Sequence, residues 1–133
     1  MFSKAAHKTQ NRIDSLVGAG TKIEGNVAFA GGLRVDGEIR GNVTATGDQS
    51  STLVISEQAR IEGEITVSHL VVNGTVIGPL HSSGFLELQA KARVTGDVEY
   101  NTIEMHLGAV VQGRLIHQGA PAKSVELKLA ATI

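Results

Sequence analysis

The sequence lacks cysteine and tryptophan, and among its 133 residues only one is tyrosine and three are phenylalanine. Without cysteine, disulfide bonds, thiolate metal ligands and thiol nucleophiles are excluded. Hydrophobic residues make up 41% of the chain but aromatic residues only 3%. The core therefore has to be built from Val, Ile, Leu and Ala, which favours narrow, regular layers over an irregular globule.

Long apolar runs and a strong net charge are also missing. No stretch of about 18 apolar residues and no signal-peptide core is present, so we expect neither a membrane-spanning helix nor export by a standard signal. The formal net charge is −1. Residues 21–118 contain 7 Lys or Arg and 11 Asp or Glu, whereas both ends of the chain are basic. An acidic body argues against a nucleic-acid partner.

The sequence does contain a fourteen-residue repeat, called here the phrase, which occurs three times. The copies are TLVISEQARIEGEI (Thr52–Ile65), FLELQAKARVTGDV (Phe85–Val98) and TIEMHLGAVVQGRL (Thr102–Leu115). Six columns are apolar or tiny in every copy: Leu53/Leu86/Ile103, Ile55/Leu88/Met105, Ala59/Ala92/Ala109, Ile61/Val94/Val111, Gly63/Gly96/Gly113 and Ile65/Val98/Leu115. The columns between them are mostly polar. Strict alternation predicts β-strands, and a fixed repeat predicts a stacked architecture rather than a closed globule.

The spacing of the repeats sets the number of coils. A sister phrase, GGLRVDGEIRGNV (Gly31–Val43), recurs as HLVVNGTVIGPL (His69–Leu80). The leading apolar residues of the units are Leu16, Leu33, Leu53, Leu70, Leu86 and Ile103, with spacings of 17, 20, 17, 16 and 17. The long step contains a polar loop, Thr44–Ser51. These units predict an all-β, single-stranded parallel β-helix of about six coils over residues 16–118, in which each strand pairs with its equivalent in the neighbouring coils.

The two ends of the chain do not follow the phrase. We expect residues 1–15 and 119–133 to be short disordered tails. At the start, apolar Met1 and Phe2 precede Ser3, Lys4 and Lys8. These residues alone favour an ordinary unstructured N-terminus, and the alternative is contact with an anionic membrane, which becomes strong only when many copies act together. Near the end, Val125–Ile133 alternates again. It could add a strand to the open end of the stack, but we favour a loosely held tail.

The search for a chemical site gives little. The histidines are His7, His69, His81, His106 and His117; no pair has the i+2 or i+4 spacing of metal ligands, and we expect them to be solvated. The carboxylates fall in outward columns such as that of Glu62, and no nucleotide-binding motif occurs. We therefore predict no enzyme activity, metal, cofactor or small-molecule substrate. The alternatives are a β-helical acyltransferase-like enzyme or sugar-binding domain, and an adhesin, which would need an export signal.

A β-helix without terminal caps has two ends that can associate with other strands. Each open end combines unpaired strand backbone with an exposed apolar layer, and most solenoids cover both. Neither end of this sequence predicts a capping helix. The candidate polymerisation residues are Val17, Ile23, Val27 and Phe29 in the first coil and Val110, Val111, Leu115 and Ile116 in the last. Stacking of such ends by strand addition predicts a homopolymer.

The phrases also resemble those of a known family, the bactofilins. The resemblance rests on GGLRVDGEIRGNV (Gly31–Val43), on Ala92–Leu115 and on a compact repeat domain between short tails, and MFSK (Met1–Lys4) is similar to the membrane-targeting peptide of many members. It implies a right-handed β-helix that polymerises end to end, without nucleotide, into non-polar filaments. It also implies a cytoplasmic protein on the inner face of the cytoplasmic membrane that positions cell-wall synthases or hydrolases.

Overall fold

The computed structural model describes residues 12–47 and 50–118 and contains sixteen β-strands arranged in six coils. Within these ranges there is no helix, and hence none of the length and hydrophobicity needed to cross a membrane. The predicted all-β parallel β-helix of about six coils is therefore confirmed. The two tails assigned from the sequence lie almost wholly outside the described residues.

Each coil consists of three short strands separated by tight corners. Coil 1 comprises β1 (Ser15–Val17), β2 (Lys22–Glu24) and β3 (Val27–Phe29); coil 2 β4 (Gly32–Val35), β5 (Glu38–Arg40) and β6 (Val43–Ala45); coil 3 β7 (Thr52–Ile55), β8 (Arg60–Glu62) and β9 (Ile65–Val67). Coil 4 comprises β10 (His69–Val72), β11 (Thr75–Ile77) and the start of β12 (Leu80–Leu88). Coil 5 continues with the rest of β12, β13 (Arg93–Thr95) and the start of β14 (Val98–Met105), and coil 6 with the rest of β14, β15 (Val110–Gln112) and β16 (Leu115–His117).

Every strand pairs in parallel with the equivalent strand of a neighbouring coil, which gives the solenoid three faces. The first face contains β1, β4, β7, β10 and the second halves of β12 and β14. The second face is the sheet β2-β5-β8-β11-β13-β15. The third contains β3, β6, β9, the first halves of β12 and β14, and β16. Coils 4 and 5 share β12 because the chain stays extended around that corner, with a register shift between Ser82 and Phe85.

The core is a set of aliphatic columns that run along the axis. On the first face Leu33, Leu53, Leu70 and Leu86 are in register, and on the second face Ile39, Ile61, Val76 and Val94 are in register. All eight side chains are buried. These are the columns that the repeats predict, so the alignment of the phrases is confirmed for coils 2 to 5.

In the first coil, the residue that occupies the leucine column is one position away from the predicted one. The sequence analysis placed Leu16 at the head of the leucine column, but Leu16 pairs with Arg34 and its side chain is 60% exposed. Ser15 takes the column position next to Leu33, and Val17 stacks on Val35. The placement of Leu16 in the core was wrong, because one residue of slip moves every side chain of a strand to the opposite face.

The corner between the second and third faces is a ladder of glycines. Gly25, Gly41, Gly63, Gly78 and Gly96 all have positive φ angles in the region that favours glycine. A Cβ atom at Gly63 would overlap the carbonyl group of Gly41 in the coil before it. Only glycine allows both the backbone conformation and the close approach of successive coils. The residues that follow these glycines add a ladder of polar side chains. The Asn26 side chain accepts a hydrogen bond from the backbone N–H of Asn42, and the Asn42 side chain accepts one from the backbone N–H of Glu64.

Candidate functional site

The C-terminal end of the solenoid is an open apolar layer. Its inward columns end at Ile103, Met105, Ala109, Val111 and Leu115. The side chains of Met105 and Leu115 are 44% and 46% exposed, whereas their counterparts in coil 5, Leu88 and Val98, are fully buried. Among the described residues, β15 pairs only with β13 and β16 only with β14, so the outer edge of coil 6 is unpaired. The end of the stack therefore presents both apolar surface and free backbone groups.

The N-terminal end is apolar too but less exposed. Val17 and Phe29 are buried, and Ile23 and Val27 are half-buried. In the described part of the chain, β2 pairs only with β5 and β3 only with β6. The two ends of the solenoid therefore differ in how far the side chains of their inward columns are exposed.

A short polar segment secures the entry to coil 1. A carboxylate oxygen of Asp14 accepts the Gly32 N–H at 3.0 Å, and the Arg12 Nε donates to the other at 2.9 Å. The Gly32 hydrogen bond, and then the Arg12 guanidinium, lower the pKa of Asp14. Asp14 thus ties the chain to coil 2 just ahead of residue 16, where the sequence predicted the β-helix to start.

Two of the predicted end residues point sideways and not into the stack. Val110 is in register with Arg93, and Ile116 with Glu99, which are outward positions. Val111 and Leu115, in contrast, continue the inward columns of Val94 and Val98. Ile103 and Met105 belong to the same end surface but were not singled out for it from the sequence. The repeat alignment contained that signal, because both residues fall in columns that are apolar in every copy.

One histidine lies between two carboxylates on the third face. In the outward column of β12, His81 Nε2 lies 2.6 Å from a carboxylate oxygen of Glu64, and His81 Nδ1 lies 3.0 Å from Oε1 of Glu99. Burial on its own would lower the pKa of His81, but the hydrogen bonds and charges of Glu99 and Glu64 outweigh it and raise that pKa above 6.5. With 27% of its side chain exposed, His81 is less solvated than the sequence analysis expects.

A second histidine cluster lies at the edge of the first face in coils 5 and 6. Nε2 of His106 is 3.1 Å from Glu87 and 3.0 Å from Glu104, and the two glutamates are neighbours in register. Their ligand atoms are close enough together to hold a divalent cation. All three side chains are also in contact with solvent. The arrangement serves equally well as an ion-pair network that joins the last two coils.

The predicted membrane-binding residues Met1, Phe2, Ser3, Lys4 and Lys8 lie outside the described residues, so their role stays a prediction. The described structure places the start of β1 at Ser15, at the same end of the solenoid as the half-buried Ile23 and Val27. A segment that precedes β1 therefore leaves from the N-terminal end of the stack.

Comparison with known proteins gives a family match and a curated relative. A family model described as "Bactofilin: Polymer-forming cytoskeletal" matches residues 15–116. Bactofilin BacP of Myxococcus xanthus (strain DK1622) is 25% identical to the chain over 113 residues, which cover 85% of this chain and 45% of that relative. The chain therefore spans less than half the length of the curated relative that it matches. No solved structure gives a significant match.

The fold and its open ends define a class: a parallel β-helix whose two terminal coils are built like the internal ones. The match of the family model covers all six coils. The chain belongs to the bactofilins, a family of polymer-forming cytoskeletal proteins.

Proposed function

We propose that this protein is a cytoskeletal scaffold that assembles end to end into non-polar filaments without nucleotide. The observation that carries the proposal is the exposed apolar layer of coil 6, where Met105 and Leu115 continue columns that are fully buried one coil earlier. Contact with a second end would bury this layer and pair the free strand edge. Contact between like ends is isologous, which makes the filament non-polar.

Membrane attachment through the N-terminal segment is the second part of the proposal. Met1 and Phe2 supply apolar side chains, and Ser3, Lys4 and Lys8 complete a short polar and basic stretch. Burial of one Phe contributes about 1.5–3 kcal/mol, and each basic residue near an anionic leaflet about 1 kcal/mol, which is weak for a single chain. A filament presents many such segments together, so avidity would hold it on the inner face of the cytoplasmic membrane.

The third part concerns the partner. We propose that the filament positions cell-wall (peptidoglycan) synthases or hydrolases and so acts in cell-shape control, without being an enzyme itself. This part is supported by the resemblance to the bactofilins and not by a mapped surface. The outward columns of the three faces stay accessible along an end-to-end filament, and they are the surfaces on which a partner would dock.

Electron microscopy of the purified protein in plain buffer, without added nucleotide or metal, tests the assembly. We expect long filaments whose formation is unchanged by a chelator or by added ATP. A monodisperse monomer or trimer at all concentrations would contradict the proposal and return attention to the acyltransferase-like alternative.

A further inference from the structure

The second face of the solenoid begins with a ladder of alternating charges in coils 1 to 3. Its two outward columns, each in register along the face, are Lys22/Glu38/Arg60 and Glu24/Arg40/Glu62. Basic and acidic side chains alternate along both columns. Opposite charges on neighbouring strands stabilise a sheet, whereas like charges directly opposite each other destabilise it. The ladder stops at coil 4, where Thr75 and Ile77 take the two positions, so it belongs to the N-terminal half of the molecule.

The first rung of this ladder, Lys22 and Glu24, lies at the open N-terminal end. Both residues are exposed. In coil 2 the Nε of Arg40 lies 3.4 Å from a carboxylate oxygen of Glu38. Within the described part of the chain, neither Lys22 nor Glu24 forms an ion pair. The rung therefore has a neighbouring coil on one side only, and its charges are available to a partner on the other side.

The backbone of β2 is open at the same two residues. The carbonyl oxygen of Thr21 and the N–H of Gly25 both bond to backbone groups of coil 2. Successive residues of a strand point their backbone groups to opposite sides, so the N–H and carbonyl groups of Lys22 and Glu24 point away from coil 2. Lys22 and Glu24 thus present both a charge and a free hydrogen-bonding edge at the end of the stack.

A second copy related by a two-fold axis satisfies both requirements. With the axis beside Ile23, β2 would pair antiparallel with β2 of the second copy, and Lys22 would lie opposite Glu24 of that copy. Residues that point their backbone groups at each other in this way exchange two hydrogen bonds. The charge columns would also continue, because Lys22 of one copy would be followed by Glu24 and then Arg40 of the other. Basic and acidic residues would alternate without a break through the junction.

The other two faces agree with this position of the axis. The midpoints of β1 and β3, Leu16 and Ala28, are exposed, whereas the midpoint of β2, Ile23, belongs to an inward column. An axis beside Ile23 brings β1 against β3 of the second copy. Leu16 would then lie beside Ala28, and Val17 beside Val27, so outward residues meet outward ones and inward residues meet inward ones. An axis beside Leu16 or Ala28 would instead pair β2 with a strand of the opposite phase.

Head-to-tail stacking offers the ladder no partner. It would place β2 next to β15 of another copy, whose outward residues are Val110 and Gln112. Lys22 and Glu24 would then lose contact with water without gaining an opposite charge. The charges therefore favour contact between two N-terminal ends.

We propose that the N-terminal ends of two copies join about a two-fold axis beside Ile23, and that Lys22 and Glu24 fix the orientation by pairing with each other across it. A filament built from this junction rests on the proposed function, whereas the junction itself does not. The aliphatic columns contribute burial, and the charges select the register. A shift of the pairing by two residues would place Lys22 opposite Lys22, or Glu24 opposite Glu24, and is disfavoured by repulsion.

Single cysteines test the position of the axis, because the chain has no cysteine of its own. A residue on the axis lies opposite its own copy, and the Cα atoms of such a non-hydrogen-bonded antiparallel pair are about 4.5 Å apart, within the range for a disulfide. The three variants of the full chain are Ile23→Cys, Leu16→Cys and Ala28→Cys, one for each face. We expect mild oxidation to give disulfide-linked dimers of Ile23→Cys and to leave the thiols of the other two free.

The outcomes separate this junction from the proposed function. Dimers of Leu16→Cys or Ala28→Cys in place of Ile23→Cys would move the axis to another face. Free thiols in all three variants would mean that N-terminal ends do not meet about such an axis. Both results overturn the proposal, even when microscopy shows filaments. Dimers of Ile23→Cys without filaments of the wild-type protein would keep the junction and contradict end-to-end filaments.

Charge reversal tests the pairing of Lys22 with Glu24. Lys22→Glu places two acidic residues opposite each other at the junction, and Glu24→Lys places two basic ones there. We expect each variant alone to raise severalfold the protein concentration at which assembly begins at low ionic strength. An equimolar mixture should return that concentration close to the wild-type value, because each variant supplies the charge that the other needs. Arg60→Glu, the same reversal two coils from the junction, is the matched control and should leave the onset unchanged.

The mixture also separates the junction from the stability of the subunit. Each reversal also disturbs the ladder within its own chain, and mixing does not repair that contact. A mixture that assembles no better than the single variants would therefore overturn the pairing across the axis. An onset that is the same for the wild type and for both single variants would do so as well.

Discussion

His81 and Glu99 lie side by side on neighbouring coils, with Nδ1 of the histidine 3.0 Å from Oε1 of the glutamate. Glu64, one coil to the other side, approaches Nε2 of the same ring. The imidazole therefore links three successive coils on the third face. When protonated it can donate to both carboxylates at once, and when neutral it has a proton for only one of them.

This contact predicts a pH-dependent stability. Burial would lower the pKa of His81, but its two carboxylate partners raise it above 6.5. Its stabilisation is therefore fully present below 6.5 and is lost as the pH rises through the folded-state pKa. We expect the urea midpoint of the wild-type protein to fall between about pH 6 and pH 8. His81→Gln should remove most of this slope, and an unchanged slope would assign the effect to other histidines.

The glycine ladder predicts a large effect from one added methyl group. Gly63→Ala would place a Cβ atom against the carbonyl of Gly41 at a φ of 153° that suits only glycine. We expect a loss of about 2 kcal/mol or more in the free energy of unfolding. Gly18→Ala is the matched control, since no atom lies within 4 Å of its added Cβ and its φ is ordinary. Equal denaturation midpoints for the two variants would contradict the close approach of the coils.

Assembly through the C-terminal end predicts opposite outcomes for two adjacent substitutions. Leu115→Arg places a charge at the head of an inward column, where a second end would have to bury it, and should leave short soluble species. Ile116→Arg places the same charge in an outward column beside Glu99 and should still form filaments. Both variants are compared by negative-stain microscopy and sedimentation. Long filaments from Leu115→Arg would rule out this end as the contact.

The membrane proposal predicts that attachment and assembly can be separated. Deletion of residues 1–8 should abolish binding to anionic vesicles and leave filaments intact, because all six coils are retained. Co-sedimentation with vesicles reports the first property, and microscopy the second. Phe2→Ser in the full chain is the finer variant and should weaken vesicle binding in the same direction. Loss of filaments in the deletion would mean that the segment also serves assembly.

The fold was predictable because the sequence repeats one short pattern. Alternation fixed which residues face the core, and the repeat fixed which strands are neighbours. The exception was the short stretch that contains Ser15 and Leu16, where a polar residue occupies an apolar column. In this three-residue strand next to Gly18, hydrophobicity favours Leu16 as the residue that faces the core. Only the pairing of Ser15 with Leu33 shows that Leu16 faces outward.

The candidate sites were predictable only in part. Val110-Val111 and Leu115-Ile116 are consecutive apolar pairs, and alternation alone does not say which member points inward; the alignment with Arg93 and Glu99 does. The histidine clusters were missed because the search compared the histidines only with one another and not with the carboxylates of neighbouring coils. His81 is 17 residues from Glu64 and 18 from Glu99, which is one coil in each direction. In a solenoid, the coil length is the spacing that brings side chains together.

The parallel pairing of strands between successive coils also has a mechanical consequence. The strands run across the axis and their hydrogen bonds lie along it, so tension on an end-to-end filament would act on every backbone hydrogen bond of a coil boundary at once. With about 4.8 Å between neighbouring strands, six coils add roughly 29 Å of length per subunit. Such a filament would be a continuous rod one solenoid wide, whose stiffness is set by the same ladders that hold each subunit together.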